Sequence, residues 1–176
     1  MKSAKVLLAL LVLLESTVEG KVGSCRTKFN RKMSSDYCSK FGTAQHTTME
    51  LSVRSRVVNH QSVTPSAQAT HFNIEVAVFA DQDYEKLEAK DNVTCKEKRE
   101  AALRILTVVV PTDGGLSDDY AHEENTKVER VSTQGRPRIY YFEVLDCSSA
   151  VTSVFRTGQF PRLLTEIAMT TEEGAN

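Results

Sequence analysis

The chain has 176 residues, and its 22 Lys and Arg side chains nearly balance 23 Asp and Glu side chains, which leaves a formal net charge of −1. A near-neutral chain lacks the positive field that binds nucleic acid or an anionic membrane surface, so we expect neither as a partner. Even without its first 20 residues the chain is long enough for one domain with a hydrophobic core.

Residues 1–20 have the organisation of a secretory signal peptide. Two lysines lie within the first five residues, residues 6–14 are all apolar, and a polar segment then ends at Gly20. This order of basic, apolar and small polar regions is typical of a signal that is cleaved on secretion. The apolar run is shorter than the roughly 20 residues that span a bilayer. We therefore expect the mature chain to begin near Lys21 and to be secreted, extracellular or luminal in the secretory pathway.

The rest of the chain divides into three parts. Residues 21–44 are polar and basic and contain two cysteines, so we expect an irregular N-terminal arm held by those cysteines. Residues 45–171 contain the alternating segments and are predicted to form the folded domain, and residues 172–176 are predicted to be a polar tail. The first strand of the domain is predicted at Thr47–Val57, where apolar and polar residues alternate.

The strongest strand signal is His71–Ala80. Ile74 and its alternate neighbours form one apolar face, whereas Glu75 lies on the more polar opposite face. Ala77 and Phe79 make the end of that second face apolar as well. A strand that is apolar on both faces is typical of the centre of a sheet, so we expect this strand to end buried on both sides.

Short strands and turns alternate in the remaining sequence. The polar segments 84–90 and 96–102 are long enough for only one or two helical turns each. Further strands are predicted at 103–110, 138–147 and 162–170, with a weakly alternating one at 127–132. About six strands without a long amphipathic helix indicate an all-β fold, namely an antiparallel β-sandwich or jelly roll with one or two short helices.

Four cysteines follow the signal: Cys25, Cys38, Cys95 and Cys147. An even number of cysteines in a secreted chain indicates two disulfides, and three pairings are possible. We favour Cys25–Cys38, because it would order the polar arm, and Cys95–Cys147, because it would tie a loop to the end of a strand. A zinc site completed by His46 or His71 is the alternative, although no C-x-x-C or H-x-x-x-H spacing supports it. We therefore predict no metal and no other cofactor.

Asn92, Val93 and Thr94 form an N-glycosylation sequon in a polar loop. A loop sequon in a secreted chain is a candidate acceptor, so we predict a glycan on Asn92. Cys95 follows directly, and early disulfide formation at this residue would slow the addition of the glycan.

No arrangement of residues predicts a catalytic centre. The histidines, at positions 46, 60, 71 and 122, are scattered, and no triad or metalloprotease motif accompanies them. The acidic residues Asp118, Asp119, Glu123 and Glu124 lack the fixed ligand spacing of an EF-hand, which favours a solvated acidic loop. We therefore expect a protein that is not an enzyme.

The order of these features is similar to that in a known family. A strand ends in Val78-Phe79-Ala80-Asp81, a loop cysteine follows at Cys95, the strand 140–147 begins with aromatic residues and ends at Cys147, and a last strand alternates over 163–170. This order resembles the luminal, GOLD-like β-sandwich that precedes the seven membrane helices of the intimal-thickness-related receptor family. The resemblance covers most of residues 45–170 and implies that Cys95 and Cys147 are the paired cysteines of that family.

The resemblance implies a non-enzymatic recognition domain in secretory trafficking or receptor signalling. The seven helices are absent from this sequence, so we expect either the N-terminal part of such a receptor, with a membrane attachment, or a free secreted domain. The partner is expected to be a protein or a small lipid-like ligand. A secreted carrier, whose two sheets part around an apolar cavity, is the alternative. A secreted hydrolase with a dispersed active site ranks last.

Overall fold

The computed structural model describes residues 21–28, 34–43, 47–58, 70–112, 126–132, 138–155 and 162–173. The predicted signal peptide, the predicted acidic loop and the last three residues lie outside this part of the chain. The elements within it are β1 (Lys21–Lys28), β2 (Ser35–Thr43), β3 (Thr47–Val58), β4 (His71–Ala80), α1 (Asp81–Glu88), α2 (Cys95–Ala101), β5 (Arg104–Pro111), β6 (Thr126–Ser132), β7 (Arg138–Leu145), α3 (Ala150–Val154) and β8 (Arg162–Glu173).

The strands form two four-stranded sheets with the topology of a jelly roll. The first sheet has the order β1-β8-β3-β6 and the second has the order β2-β7-β4-β5, with antiparallel pairing throughout. The first strand pairs with the last, the second with the seventh, the third with the sixth and the fourth with the fifth. Such a chain is one long antiparallel ribbon wrapped so that successive strand pairs alternate between sheets. The predicted all-β, antiparallel sandwich is confirmed.

Alternating side chains of both sheets fill the space between them. The largest fully buried side chains of this core are Met49, Leu51, Ile74, Leu106, Tyr140, Phe142, Leu163, Ile167 and Met169. Full burial of one such side chain contributes about 1.5 to 3 kcal/mol, so the sandwich core is the main source of stability.

The outer face of the second sheet carries a smaller core beneath α1 and α2, and we call it the capped face. Ala77, Phe79 and Leu145 point outward from β4 and β7 and are fully buried there against α1. Tyr84 and Leu87 lie three residues apart on α1, which places both on the helix face that covers the sheet. The predicted burial of β4 on both faces is therefore confirmed.

The expectation of an irregular arm is wrong for residues 21–28 and 35–43, because both segments are strands. β1 forms an edge of the first sheet and β2 forms an edge of the second. Polar residues occupy buried positions in both strands, Thr27 in β1 and Thr43 in β2, so the apolar alternation that indicates a strand is weak there. Packing favours glycine at position 23 of β1, since a Cβ there would lie 2.6 Å from the ring of Phe41.

A β-bulge in β2 sets which side chains face the core. Tyr37 and Phe41 are four residues apart and would share one face of a regular strand. The register with β7 shifts between Tyr37 and Ser39, so Phe41 packs in the sandwich core while Tyr37 lies on the capped face beside Tyr84. Cys38 lies at this bulge and is turned into the core.

Candidate functional site

Both favoured disulfides are present in the structure. Cys25–Cys38 joins the edge strands of the two sheets, with a Cα–Cα distance of 5.2 Å. Cys95–Cys147 joins the first residue of α2 to the segment after β7, with a Cα–Cα distance of 5.6 Å. The zinc alternative is wrong, because every cysteine is consumed in a disulfide. Two disulfides are typical of an oxidising compartment outside the cytoplasm. Within the described ranges, no helix has the length and apolar composition to cross a bilayer.

A capping box fixes the start of α2 over the capped face. The Thr94 hydroxyl accepts a hydrogen bond from the Glu97 backbone N–H (3.2 Å), and Glu97 Oε2 accepts one from the Thr94 backbone N–H (2.9 Å). Glu97 Oε2 also accepts a bond from the Thr94 hydroxyl (2.8 Å). These bonds lower the pKa of Glu97 and satisfy backbone donors that a short helix leaves open.

A buried ion pair ties α2 to the second sheet. Lys98 Nζ donates to Glu143 Oε1 of β7 at 2.8 Å and to Ser35 Oγ of β2 at 2.6 Å. The side chains of Lys98 and Glu143 are 17% and 9% exposed. Glu143 Oε2 is buried and has no hydrogen-bond partner among the described residues. The carboxylate therefore keeps one unused acceptor in a place of low dielectric, where such an acceptor is costly.

A cavity of about 250 Å³ lies between α1 and α2 above β7, and we call it the cap cavity. Its lining residues are Tyr84, Leu87, Glu88, Lys90, Val93, Lys98 and Glu143. Tyr84, Leu87 and Val93 give it apolar walls, and the exposed residues Glu88 and Lys90 lie at its rim. The Lys90 ammonium is 3.5 Å from Glu97 Oε1, so its charge is already paired. The cavity therefore combines apolar walls with Glu143, a residue whose buried Oε2 has no hydrogen-bond partner among the described residues.

A row of tyrosines lies beside the cap cavity. The Tyr84 and Tyr141 rings stack with 4.2 Å between centroids and 4° between planes, and Tyr37 lies 6.2 Å from Tyr84. Burial, followed by the nearby Glu143 carboxylate, raises the pKa of Tyr84. Its hydroxyl therefore stays protonated at physiological pH, and the row gives the cavity a rigid, uncharged wall.

A second cleft of about 500 Å³ is open to solvent on the other side of α2. It is lined by Cys95, Lys96, Arg99, Glu100, Ile105 and Cys147. Lys96 pairs with Glu100 and Arg99 pairs with Glu75, so the cations of this cleft already have partners within the domain. Among the described residues, the lining of this cleft also contains no buried polar atom without a partner, which makes it a weaker candidate for binding than the cap cavity.

The predicted sequon lies in the turn between α1 and α2. Asn92 is exposed and has a φ of 57°, a left-handed conformation that asparagine tolerates better than most residues. Val93 packs against the smaller core and lines the cap cavity, so the sequon adjoins the rim of that cavity. Glycosylation at Asn92 remains a prediction.

The other residues considered for chemistry are not brought together. His71 is exposed at the start of β4, where its Nδ1 lies 3.1 Å from the Thr70 hydroxyl. The remaining histidines, at positions 46, 60 and 122, and the acidic residues at 118, 119, 123 and 124 lie outside the described residues. No group of metal-ligating side chains occurs among the residues that the structure describes.

No family model matches the sequence, and no curated protein matches it significantly. The resemblance to the luminal domain of seven-helix receptors therefore remains a prediction from the order of motifs.

The role of the buried Lys98–Glu143 ion pair can be tested by its effect on the free energy of unfolding. Lys98→Met leaves the Glu143 carboxylate buried without its cation and is expected to reduce the free energy of unfolding by about 3 to 5 kcal/mol. The double variant Lys98→Met/Glu143→Met removes both charges and is expected to lie within about 1 kcal/mol of the parent, or above it. Urea unfolding at neutral pH measures all three proteins. A double variant as unstable as the single one would contradict this account.

Proposed function

We propose that the chain is a non-enzymatic recognition domain, secreted or luminal, that binds a protein partner through its capped face. The observation that carries the proposal is the cap cavity, where Glu143 keeps a buried, unused acceptor oxygen beside apolar walls. A volume of about 250 Å³ is at the lower limit for small-molecule pockets, which hold about 300 to 1,000 Å³. It suits a single inserted side chain better than a whole metabolite.

Charge favours a basic side chain as the occupant. Glu143 and the rim residue Glu88 contribute two carboxylates, while the ammonium groups of Lys98 and Lys90 are engaged by Glu143 and Glu97. The aliphatic stem of a lysine would contact Tyr84, Leu87 and Val93. Its ammonium would donate to the Glu143 carboxylate, whose Oε2 is closed to solvent and would become accessible only when neighbouring side chains shift on binding. A hydrogen bond to a charged group contributes about 1.5 to 3 kcal/mol, so it would account for roughly tenfold or more in affinity.

A titration with matched probes tests the proposal. Nα-acetyl-lysine methylamide, added to the isotope-labelled full chain made by secretory expression, is expected to give saturable amide shifts at Leu87, Lys98 and Glu143. The norleucine analogue, which has the same stem without the ammonium, is the uncharged control. Equal shifts with both probes, or no saturation with the lysine probe, would exclude this mode of recognition.

Variants identify the carboxylate. Glu143→Gln keeps the shape and an oxygen for Lys98 but removes the charge, and should weaken lysine binding roughly tenfold or more. Glu50→Gln is the matched control, because Glu50 is also ion-paired, with Arg130, but lies in β3 of the first sheet. Glu88→Gln, at an exposed rim position, should weaken lysine binding by a smaller factor. It is the variant to use if Glu143→Gln does not fold.

The carrier alternative calls for an apolar cavity between the two sheets. The two cavities described above lie on the outer side of the second sheet, while nine of the eleven largest fully buried side chains of the described residues lie between the sheets. This arrangement favours surface recognition over a carrier. Displacement of a fluorescent fatty acid from the protein would favour the carrier.

The resemblance supports a more specific proposal, that the domain is the luminal part of a seven-helix receptor with a GOLD-like sandwich. The Cys95–Cys147 disulfide and the two-sheet fold agree with what the resemblance implies. Sequencing the transcript beyond the codon for Asn176 tests it. An open frame encoding seven apolar helices would support the receptor, and an immediate stop codon would favour a free secreted domain.

A further inference from the structure

We propose that Asn92 receives a glycan efficiently only before α2 and the Cys95–Cys147 disulfide have formed, so that folding largely closes the modification site. In the cell, this inference rests on the proposed transport into the secretory pathway. The sequence shows that a sequon is present, whereas the inference is about when the transferase can reach it. Asn92 itself is exposed, so the restriction comes from the two residues that follow it.

The Thr94 hydroxyl is part of the acceptor signal, because a sequon requires Ser or Thr at this position. In the folded protein, this hydroxyl accepts a bond from the Glu97 backbone N–H and donates to Glu97 Oε2. The Thr94 backbone N–H is also bonded to Glu97 Oε2. A transferase that has to contact the hydroxyl therefore meets a group already engaged in the capping box.

Val93 restrains the sequon from the other side. Its side chain packs against the smaller core beneath the two helices. Presenting the three sequon residues together as an extended peptide would pull Val93 out of this packing and break the cap at Thr94. The φ of 57° at Asn92 is far from extended backbone as well. Folded protein therefore offers the sequon only when this segment opens locally.

The Cys95–Cys147 disulfide keeps the sequon closed once it has formed, and it cannot form before Cys147 has been synthesised. Cys95 directly follows the sequon, and its partner Cys147 lies 52 residues later. Synthesis at about 5 to 20 residues per second places roughly 3 to 10 s between the two cysteines. During this interval Cys95 lacks its native partner, and the sequon is open on the growing chain. Occupancy at Asn92 is then the result of a competition between glycan transfer and closure of the cap.

A transfer assay with purified oligosaccharyltransferase and a lipid-linked glycan tests the closure directly, and it needs no signal peptide. The acceptors are the oxidised, unglycosylated full chain and the reduced full chain carrying Ile74→Asp, whose buried carboxylate is expected to unfold the domain. The unfolded acceptor should be modified roughly tenfold or more faster, because the folded chain exposes its sequon only in a minor, locally opened population. Equal rates, or no transfer to either acceptor, would overturn the proposal.

Two further variants separate the cap from the disulfide. Glu97→Ala removes the capping partner and leaves the sequon intact, so the oxidised variant should be modified faster than the oxidised parent. Asn92→Gln is the blank and should accept no glycan. In secreting cells, Cys147→Ala should raise the glycosylated fraction of the protein. This fraction is measured on gels as the band that glycosidase treatment removes. Failure of the chain to enter that pathway would contradict the proposed localisation but leave the transfer assay unaffected.

Discussion

Ile74→Asp is expected to unfold the domain, whereas Asn73→Asp, one residue earlier in β4, is expected to be tolerated. Ile74 is 1% exposed and faces the sandwich core, while Asn73 points to the opposite, exposed side. The buried polar and charged residues of the described chain include no Lys, Arg or His that could pair with a carboxylate at position 74. An unpaired buried polar or charged group costs several kcal/mol, and the whole stability of a domain is about 5 to 15 kcal/mol.

Thermal and urea unfolding of the two purified variants provide the measurement. Both variants introduce the same carboxylate into adjacent positions, so a difference between them reports the face of the strand and not the added charge. Cooperative unfolding of Ile74→Asp close to that of the parent, with loss of folding in Asn73→Asp, would mean that the register of β4 is inverted.

Removal of the Cys95–Cys147 disulfide is expected to destabilise the protein more than removal of Cys25–Cys38. Their sequence separations are 52 and 13 residues. Loop-closure entropy predicts losses of about 4 kcal/mol for the longer loop and about 3 kcal/mol for the shorter one. Each bond is removed as a double Cys→Ala variant, so no free thiol remains from the broken pair.

Urea unfolding compares the two double variants with the oxidised parent. The slope of free energy against urea has to be compared as well, because a changed slope would indicate a change in the unfolded state. A larger loss for the Cys25–Cys38 variant would contradict the entropic account. It would show that the contact between the edge strands is held mainly by this bond.

The strong central strands are the part of the fold that the sequence predicts well. β4 and β7 carry long apolar runs, because each lies between two other strands and is buried on both faces. The strands β1 and β2 were missed because Thr27 and Thr43 occupy buried positions, and because the bulge at Cys38 interrupts the alternation of β2. α3 was missed because it has only five residues and depends on the packing of Val151 and Val154 in the sandwich core. A local hydrogen bond from the Val151 backbone N–H to the buried carboxylate of Asp146 (3.2 Å) supports its first turn.

The cap cavity could not be predicted from the sequence, because six of its seven lining residues lie within 84–98 but Glu143 and the strand that carries it come from a distant part of the chain. Lys98 and Glu143 are separated by 45 residues, and Lys98 and Ser35 by 63. Glu143 did leave one local signal, since it is the only acidic residue within the apolar strand β7. The disulfides were predicted more successfully, because two pairs of cysteines leave only three arrangements.

The position of β1 beside β8 determines how the domain responds to tension. The strands are antiparallel, and Lys21 pairs with Met169, so the start of β1 and the end of β8 lie at the same end of the first sheet. A force applied between these two strand ends breaks the β1–β8 hydrogen bonds one after another. Peeling proceeds from Lys21 to Ser24 and then reaches Cys25, which is covalently bonded to the second sheet. The disulfide therefore acts as a mechanical stop after the first four residues of the strand.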